Sequence, residues 1–327
     1  MSGSRVIVTG GAGFIGSHLC ERLVADGYEV LCADNLSTGD RENLECLENE
    51  PKFHFLEHDM VRVLQVSGEV DAILHLASPA SPVDYLRLPL QTLEVGSVGT
   101  RNALDLAYRT GARFLLASTS EVYGDPQVHP QHEGYVGHVS PTGPRSVYDE
   151  AKRFSEALTM AYRRERGVAT SIVRIFNTYG PRMRPYDGRA VPTFVRQSLE
   201  RAPLTVAGDG TQTRSLCYVD DLVEGIARML HRGGTGPVNL GNPEEITVLD
   251  LARRVRDVCG SDSPVDFIDR SVNDPSRRVP DITRARRQLG WEPEVMLEDG
   301  LERIVRWAVS VRREEGQDRA QGPVLKA

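Results

Sequence analysis

Apolar residues in the first half of the chain gather into short runs rich in β-branched side chains: Arg5 to Thr9, Glu29 to Asp34, Phe53 to Asp59, Asp71 to Ala77, Arg113 to Ser118 and Ala169 to Phe176. Between them apolar positions recur at helical spacing, as in Ser17 to Asp26 and Leu93 to Thr110. Near-continuous apolar strands belong to a sheet covered on both faces, and an intervening helix supplies the crossover that parallel neighbours need. The pattern predicts an α/β fold, a doubly wound parallel sheet of Rossmann type. After Gly180 the rhythm changes to Pro/Gly-punctuated segments, with a strand near Leu204 to Ala207 and helices near Asp220 to Leu230 and Val248 to Val258. This predicts a first unit over 1–178 with a return near 215–245, and a smaller C-terminal α/β lobe mainly over 179–313. The segment 314–327, with Glu314, Glu315, Gln317 and Pro323, carries no apolar periodicity and is expected to be frayed.

Length and charge narrow the function classes. At 327 residues the chain suits one large α/β unit with an appended lobe. The net charge of -7 comes from 46 acidic and 39 basic residues, the latter scattered, so nucleic acid is not an expected partner. No basic leader precedes the first strand and no apolar run approaches the roughly 20 residues that span a bilayer, so the reading is a soluble, cytoplasmic protein. Cys20, Cys32, Cys46, Cys217 and Cys259 are odd in number and far apart, which fits small apolar side chains rather than disulfides. The histidines show no metal-ligand spacing, and no metal is expected.

The first motif with chemistry is Thr9-Gly10-Gly11-Ala12-Gly13-Phe14-Ile15-Gly16, between a strand and a helix. Gly10, Gly13 and Gly16 suit a tight turn, a backbone close to a pyrophosphate, and a helix N-terminus offering free N–H groups to an anion. The second strand ends at Asp34, where a carboxylate takes adenosine ribose hydroxyls and repels a 2′-phosphate, so NAD is favoured over NADP. Asn35, Ser37, Thr38 and Gly39 follow with further polar contacts, and Asp59 can reach the adenine amino group or simply begin a loop. The first unit is therefore expected to be the NAD-binding domain.

Tyr148 and Lys152 stand four apart on a helical pattern that runs to Arg166, so both lie on one face. An ammonium beside a phenol favours the phenolate, and the same lysine can hold a ribose. Thr119 ends a strand at the carboxyl edge of the sheet, where its hydroxyl can share a substrate proton with Tyr148.

The chain resembles the extended short-chain dehydrogenase/reductases, and specifically their UDP-glucuronate decarboxylase (UDP-xylose synthase) branch. The matching stretches are His75 through Pro82 (HLASPASP), Ser118 through Asp125 (STSEVYGD), Gly143-Pro144-Arg145-Ser146 into Tyr148-Asp149-Glu150, Arg174 through Met183, and Gly208 through Arg214. The resemblance implies decarboxylation of a UDP- or dTDP-linked glucuronate to the nucleotide-xylose, with C4 oxidised and later reduced by tightly bound NAD and no net redox change. Thr119, Glu121, Tyr148, Lys152 and Arg214 are implied as catalytic. In this scheme Glu121 points into the sugar site, disfavours the ground-state carboxylate and organises a proton for C5, while Arg214 positions a carboxylate or phosphate. Phe14, Ile15, Met60, Leu76, Ala77, Ser78 and Thr178 join the cofactor residues. Pro79, Ser81, Tyr85 and Ser120 fall to the sugar, and Asn177, Arg182, Arg189 and Arg278, the last within Asp274 to Asp281, to the nucleotide diphosphate.

The branch usually has Trp near Val136 and Asn, often with Lys, where this chain has Glu94-Val95-Gly96-Ser97, so the accepted substrate is open in detail. A dTDP-glucose 4,6-dehydratase carries Thr-Asp-Glu where this chain has Thr119-Ser120-Glu121, and 4-epimerases lack a glutamate like Glu121. These two chemistries and a non-catalytic dinucleotide-binding scaffold are the alternatives. The resemblance also implies a homodimer in which the helices Leu93 to Thr110 and Tyr148 to Arg166 pair with their copies in a four-helix interface.

Overall fold

The computed structural model describes residues 4–143, 145–269 and 277–321. Six parallel strands, β1 (Arg5–Thr9), β2 (Glu29–Asp34), β3 (Phe53–Glu57), β4 (Ala72–His75), β5 (Arg113–Thr119) and β6 (Thr170–Ile175), are joined by a seventh, Pro237–Leu240. From one edge the order is Pro237–Leu240, β6, β5, β4, β1, β2, β3. The order reverses between β1 and β4, which register as Val6 on Ala72 through Thr9 on His75. At such a switch point the connections leave in opposite directions and open a crevice above the strand ends.

Helices α1 (Phe14–Ala25), α2 (Pro82–Arg87), α3 (Pro89–Glu94), α4 (Thr100–Thr110) and α5 (Ser146–Arg166) cross over between the first six strands. Beyond β6 come α6 (Ala190–Leu199), α7 (Val219–Arg232), α8 (Val248–Val258), α9 (Thr283–Leu289) and α10 (Leu297–Gln321). One sheet face packs Val6, Val8, Leu74 and Val173 against α1 and α7, and the other packs Ile7, Ile73, Phe114 and Ile172 against α4 and α5. Both faces are dry, which is why the strands read as continuous apolar runs. Pro237–Leu240 pairs with β6 and α7 packs on α1, so the sheet takes its edge strand and one covering helix from late in the chain. In the smaller lobe the strand Leu204–Ala207 pairs in parallel with Val265–Ile268, beside α6 and α8.

One element departs from the expectation. The helix expected over Leu93 to Thr110 is interrupted by a π-turn at Val95–Gly99. A Cβ on Gly96 would stand 2.6 Å from the Ala151 Cβ of α5, and Ser155 Oγ donates to Gly96 O at 2.7 Å. The wider turn swings a side-chain-free backbone against α5, and such turns are frequent at functional sites. The last helix, α10, runs to Gln321. Residues 322–327 and the quoted Asp274 to Ser276 lie outside the described residues. Among the described residues no helix is long and apolar enough to cross a membrane.

Candidate active site

All the residues singled out for cofactor, chemistry and substrate line one cavity of about 680 Å³ at the switch-point crevice. At the nucleotide end the glycine turn follows β1. Gly10 has φ +72°, and a Cβ there would stand 2.7 Å from the Ala77 backbone after β4. A Cβ on Gly16 would collide with the Gly10 carbonyl, so α1 can lie against the turn only as glycine. Gly13 caps α1 without a side-chain bond, and no acid stands in the first turn, leaving its N–H groups to an anion. Asp34, buried at the end of β2, accepts from Ala12 N and Leu36 N, both at 2.9 Å. Each oxygen keeps a lone pair for a ribose hydroxyl, although burial lifts the carboxyl above its ordinary range. A side-chain-free cradle, an uncapped helix start and a carboxylate at the second strand fit NAD. Asp59 accepts from Val61 N at 3.0 Å and begins a turn, with Met60 buried beside it.

The chemical end is built by β5 and α5. Thr119 closes β5 and accepts from Glu121 N at 3.2 Å, starting a short 3-10 turn over Ser120–Tyr123. From the first turns of α5, Tyr148 hydrogen-bonds to Thr119, and Lys152 Nζ donates to Ala117 O at 2.9 Å. Lys152 Nζ lies 5.8 Å from the Tyr148 ring centroid, and burial lowers the lysine to about 8. The expected depression of the tyrosine is not met in the chain alone: burial raises its hydroxyl above an ordinary phenol, opposed by the Thr119 bond. Tyr85 of α2, 1% exposed, stacks on Tyr148 at 5.2 Å between centroids and 7° between planes.

Glu121 has partners that its immediate sequence does not display. Its carboxylate accepts from both terminal nitrogens of Arg278, Nη2 at 3.0 Å, and from Arg145 Nη2 at 2.9 Å. Burial pushes the carboxyl up, but the charges and hydrogen bonds of Arg278 and Arg145 win and hold it at about 2. Arg278, expected at the diphosphate, is thus 5% exposed against Glu121, because a guanidinium so buried needs a counter-charge. Glu121 in turn is a neutralised anion and not a bare one. Arg145 lies in the quoted Gly143 to Ser146 stretch, and its position just before α5 was the available signal.

The other positions are mixed. Ser81 caps α2, bonding Asp84 N at 3.1 Å and Asp84 Oδ2 at 2.7 Å, so its hydroxyl is occupied structurally. Arg184, not foreseen, pairs with Asp84. Arg182 has φ +68°, pairs with Glu21 of α1 and lines the same cavity. Arg189 Nη2 donates to Ala80 O at 3.1 Å, and Arg214 Nη1 to Thr213 O at 2.8 Å. Thr178 Oγ1 donates to Phe176 O at 2.9 Å, and Ser78 Oγ to Pro79 O at 3.3 Å.

A family model described as GDP-mannose 4,6 dehydratase matches residues 7–304. The chain is 49% identical over 303 residues to UDP-glucuronic acid decarboxylase 1 of Xenopus tropicalis, covering 93% of this chain and 72% of that protein. It is 53% identical over 302 residues to UDP-glucuronic acid decarboxylase 4 of Arabidopsis thaliana, covering 92% and 68%. A solved dTDP-glucose 4,6-dehydratase from Streptomyces venezuelae with NAD bound aligns at TM-score 0.86 with 32% identity, over 95% of this chain and 98% of that one.

Proposed function

The chain belongs to the extended short-chain dehydrogenase/reductases that the GDP-mannose 4,6 dehydratase model describes, and within them to the UDP-glucuronic acid decarboxylases; from that membership we infer its reaction and the role of each residue. It is an NAD-dependent carboxy-lyase that converts UDP-glucuronate to UDP-xylose through a 4-keto intermediate, with no net redox change. Bound NAD supplies reversible oxidation at the sugar C4.

The chain's own groups do the rest. The Gly10 to Gly16 turn and Asp34 would hold the pyrophosphate and ribose of the dinucleotide, and Lys152 its second ribose. Tyr148, bonded to Thr119, takes the proton of the C4 hydroxyl and returns it at the end of the cycle. A ketone at C4 stands β to the C6 carboxylate, so the electrons of the C5–C6 bond have an acceptor when carbon dioxide leaves. The observation that carries the reading is the Glu121 cluster. One carboxylate between two guanidiniums has a net charge of about +1, which suits a substrate whose sugar bears a carboxylate. An uncharged hexose has no use for it. Pro79, Ser120 and Tyr85 line the sugar end, and Asn177, Arg189 and Arg214 the rest of the substrate path.

The test is to incubate the protein with NAD and, separately, UDP-glucuronate, dTDP-glucuronate, UDP-glucose and dTDP-glucose, following each by mass spectrometry. Loss of carbon dioxide from UDP-glucuronate is the expected result. A glucose that loses water or inverts at C4 while both glucuronates persist overturns it.

The protein acts as a homodimer in the cytoplasm. Leu90 of α3 is 69% exposed and Phe154 of α5 50%, which supports α3 to α5 as the surface that meets a second copy. Five free cysteines suit a reducing compartment. Light scattering that finds only monomer at micromolar concentration sinks the dimer.

A further inference from the structure

Three residues of α5, each four after the last, grip the final three residues of β5. Tyr148 hydrogen-bonds to Thr119, Lys152 Nζ donates to Ala117 O at 2.9 Å, and Glu156 Oε1 accepts from Ser118 Oγ at 2.5 Å. Residues so spaced lie along one stripe of a helix. Tyr148 and Lys152 line the cavity, and Glu156 stands behind them, outside its lining. The Glu156 carboxylate is also held by the Arg174 fork of β6, from Nε at 2.9 Å and Nη2 at 2.7 Å, with the two side chains 13% and 12% exposed. A bidentate pair fixes orientation as well as distance, and a guanidinium so buried needs its counter-charge. Arg174 in turn reaches the turn that carries Glu121. Its Nη1 donates to the Tyr123 hydroxyl at 3.0 Å, and its guanidinium lies 4.9 Å from the centroid of the Tyr123 ring. Tyr123 is itself anchored, donating to Asn239 Oδ1 at 2.8 Å. One carboxylate thus joins α5 to β5 and, through Arg174, to β6 and the Ser120–Tyr123 turn.

We propose that Glu156 is a positioning residue for the reaction: tied to Ser118 and Arg174, it holds Tyr148 and Lys152 in register with Thr119 and with the turn that carries Glu121. It acts only through the groups that line the cavity. The proposal rests on the decarboxylase reading for its kinetic test alone. Register matters because Tyr148 must meet the C4 hydroxyl while Lys152 holds the ribose, and a misplacement of about 1 Å costs up to about 10²-fold in rate. One further fact agrees. Burial lowers Lys152 to about 8, and the Glu156 charge opposes that fall. The other groups facing Lys152 are the Tyr148 ring on its own helix and His75 of β4, which burial keeps neutral.

The tests are Glu156→Gln, which keeps the shape and removes the charge, and Glu156→Asp, which keeps the charge but is one methylene too short to bridge Ser118 and Arg174. The ammonium of Lys152 is the active form, so wild-type kcat falls as pH rises through the lysine's value. Removing the opposing charge moves that value further down, by about 0.5–2 pH units for a charge about 6 Å away at effective dielectric constants of about 80 to 20. The chain has three lysines, Lys52, Lys152 and Lys326, so carbon-13 NMR of lysine-labelled, NAD-loaded protein separates them, and Lys152→Arg identifies the signal that titrates low. In Glu156→Gln that signal and the alkaline limb of kcat for carbon dioxide release move down together. There kcat at pH 8 falls about 10-fold, with KM within about twofold. In Glu156→Asp the limb stays in place while kcat falls by a similar factor. If Arg174 without its full counter-charge keeps Glu156→Gln from folding, the neutral pair Glu156→Gln with Arg174→Gln takes its place. The positioning role is overturned if both variants keep wild-type kcat, or if the signal and the limb stay put in Glu156→Gln. A wild-type protein that releases no carbon dioxide defeats the decarboxylase reading instead, and the lysine titration then decides alone whether Glu156 governs Lys152.

Discussion

Replacing Arg278 by methionine keeps much of the side-chain length and removes the charge, leaving Glu121 with Arg145 alone. In the wild type the carboxylate accepts from both terminal nitrogens of Arg278 and from Arg145 Nη2 at 2.9 Å. Breaking a buried pair costs about 3–5 kcal/mol when the surviving charge has no other partner. Glu121 retains one, so the expected loss is nearer that of a hydrogen bond to a charged group, about 2 kcal/mol. The pH dependence fixes the cause. Glu121 is held at about 2 against an ordinary 4.5. Its folded value is below its unfolded one, so its stabilisation is complete above the ordinary value and is lost as pH falls toward the folded one. The gap between wild type and Arg278→Met, read by urea denaturation, is therefore widest at pH 7 and narrower by somewhat under ~1 kcal/mol at pH 4. A double-mutant cycle with Glu121→Gln should give a coupling of about 1–3 kcal/mol. A coupling under about 0.5 kcal/mol, or a gap that ignores pH, refutes the reasoning.

Tyr148→Phe should fold and retain NAD while kcat for carbon dioxide release falls roughly 10²- to 10⁴-fold; a smaller loss removes Tyr148 from the proton transfer. Gly96→Ala sets a Cβ 2.6 Å from that of Ala151, so urea denaturation should show about 1–3 kcal/mol of destabilisation, and a neutral result means that the π-turn yields. His75 is buried neutral, bonded through Nδ1 to Thr9 Oγ1 at 2.8 Å, and burial lowers it to about 3 from an ordinary 6.5. The unfolded chain binds that proton first, so stability should fall as pH drops from about 6.5 toward 3, by up to about 1.4 kcal/mol per pH unit. His75→Gln should flatten that slope, and an unchanged slope assigns it to other groups.

The parts of the molecule legible in the sequence are those whose causes are local. β1 and β2 run from Arg5 to Thr9 and from Glu29 to Asp34 as the apolar pattern predicts, because strands dry on both faces change composition where they end. The glycine turn and Asp34 were legible because the one follows its strand and the other ends it at fixed spacing. The π-turn was not, since its cause is the contact of Gly96 with Ala151 on another helix. The charge state of Glu121 was hidden for the same reason. Its partners stand 24 and 157 residues away, and no pattern around Ser118 to Asp125 announces them.

The distance along the chain between Glu121 and Arg278 also orders events during synthesis. When α5 has left the ribosome, Thr119, Tyr148 and Lys152 are all made, yet the second cation of the sugar site is still more than a hundred residues from being translated. A polypeptide terminated early thus carries Thr119, Tyr148 and Lys152 without the second guanidinium that pairs with Glu121. Completion of the charge cluster therefore waits on the C-terminal part of the chain.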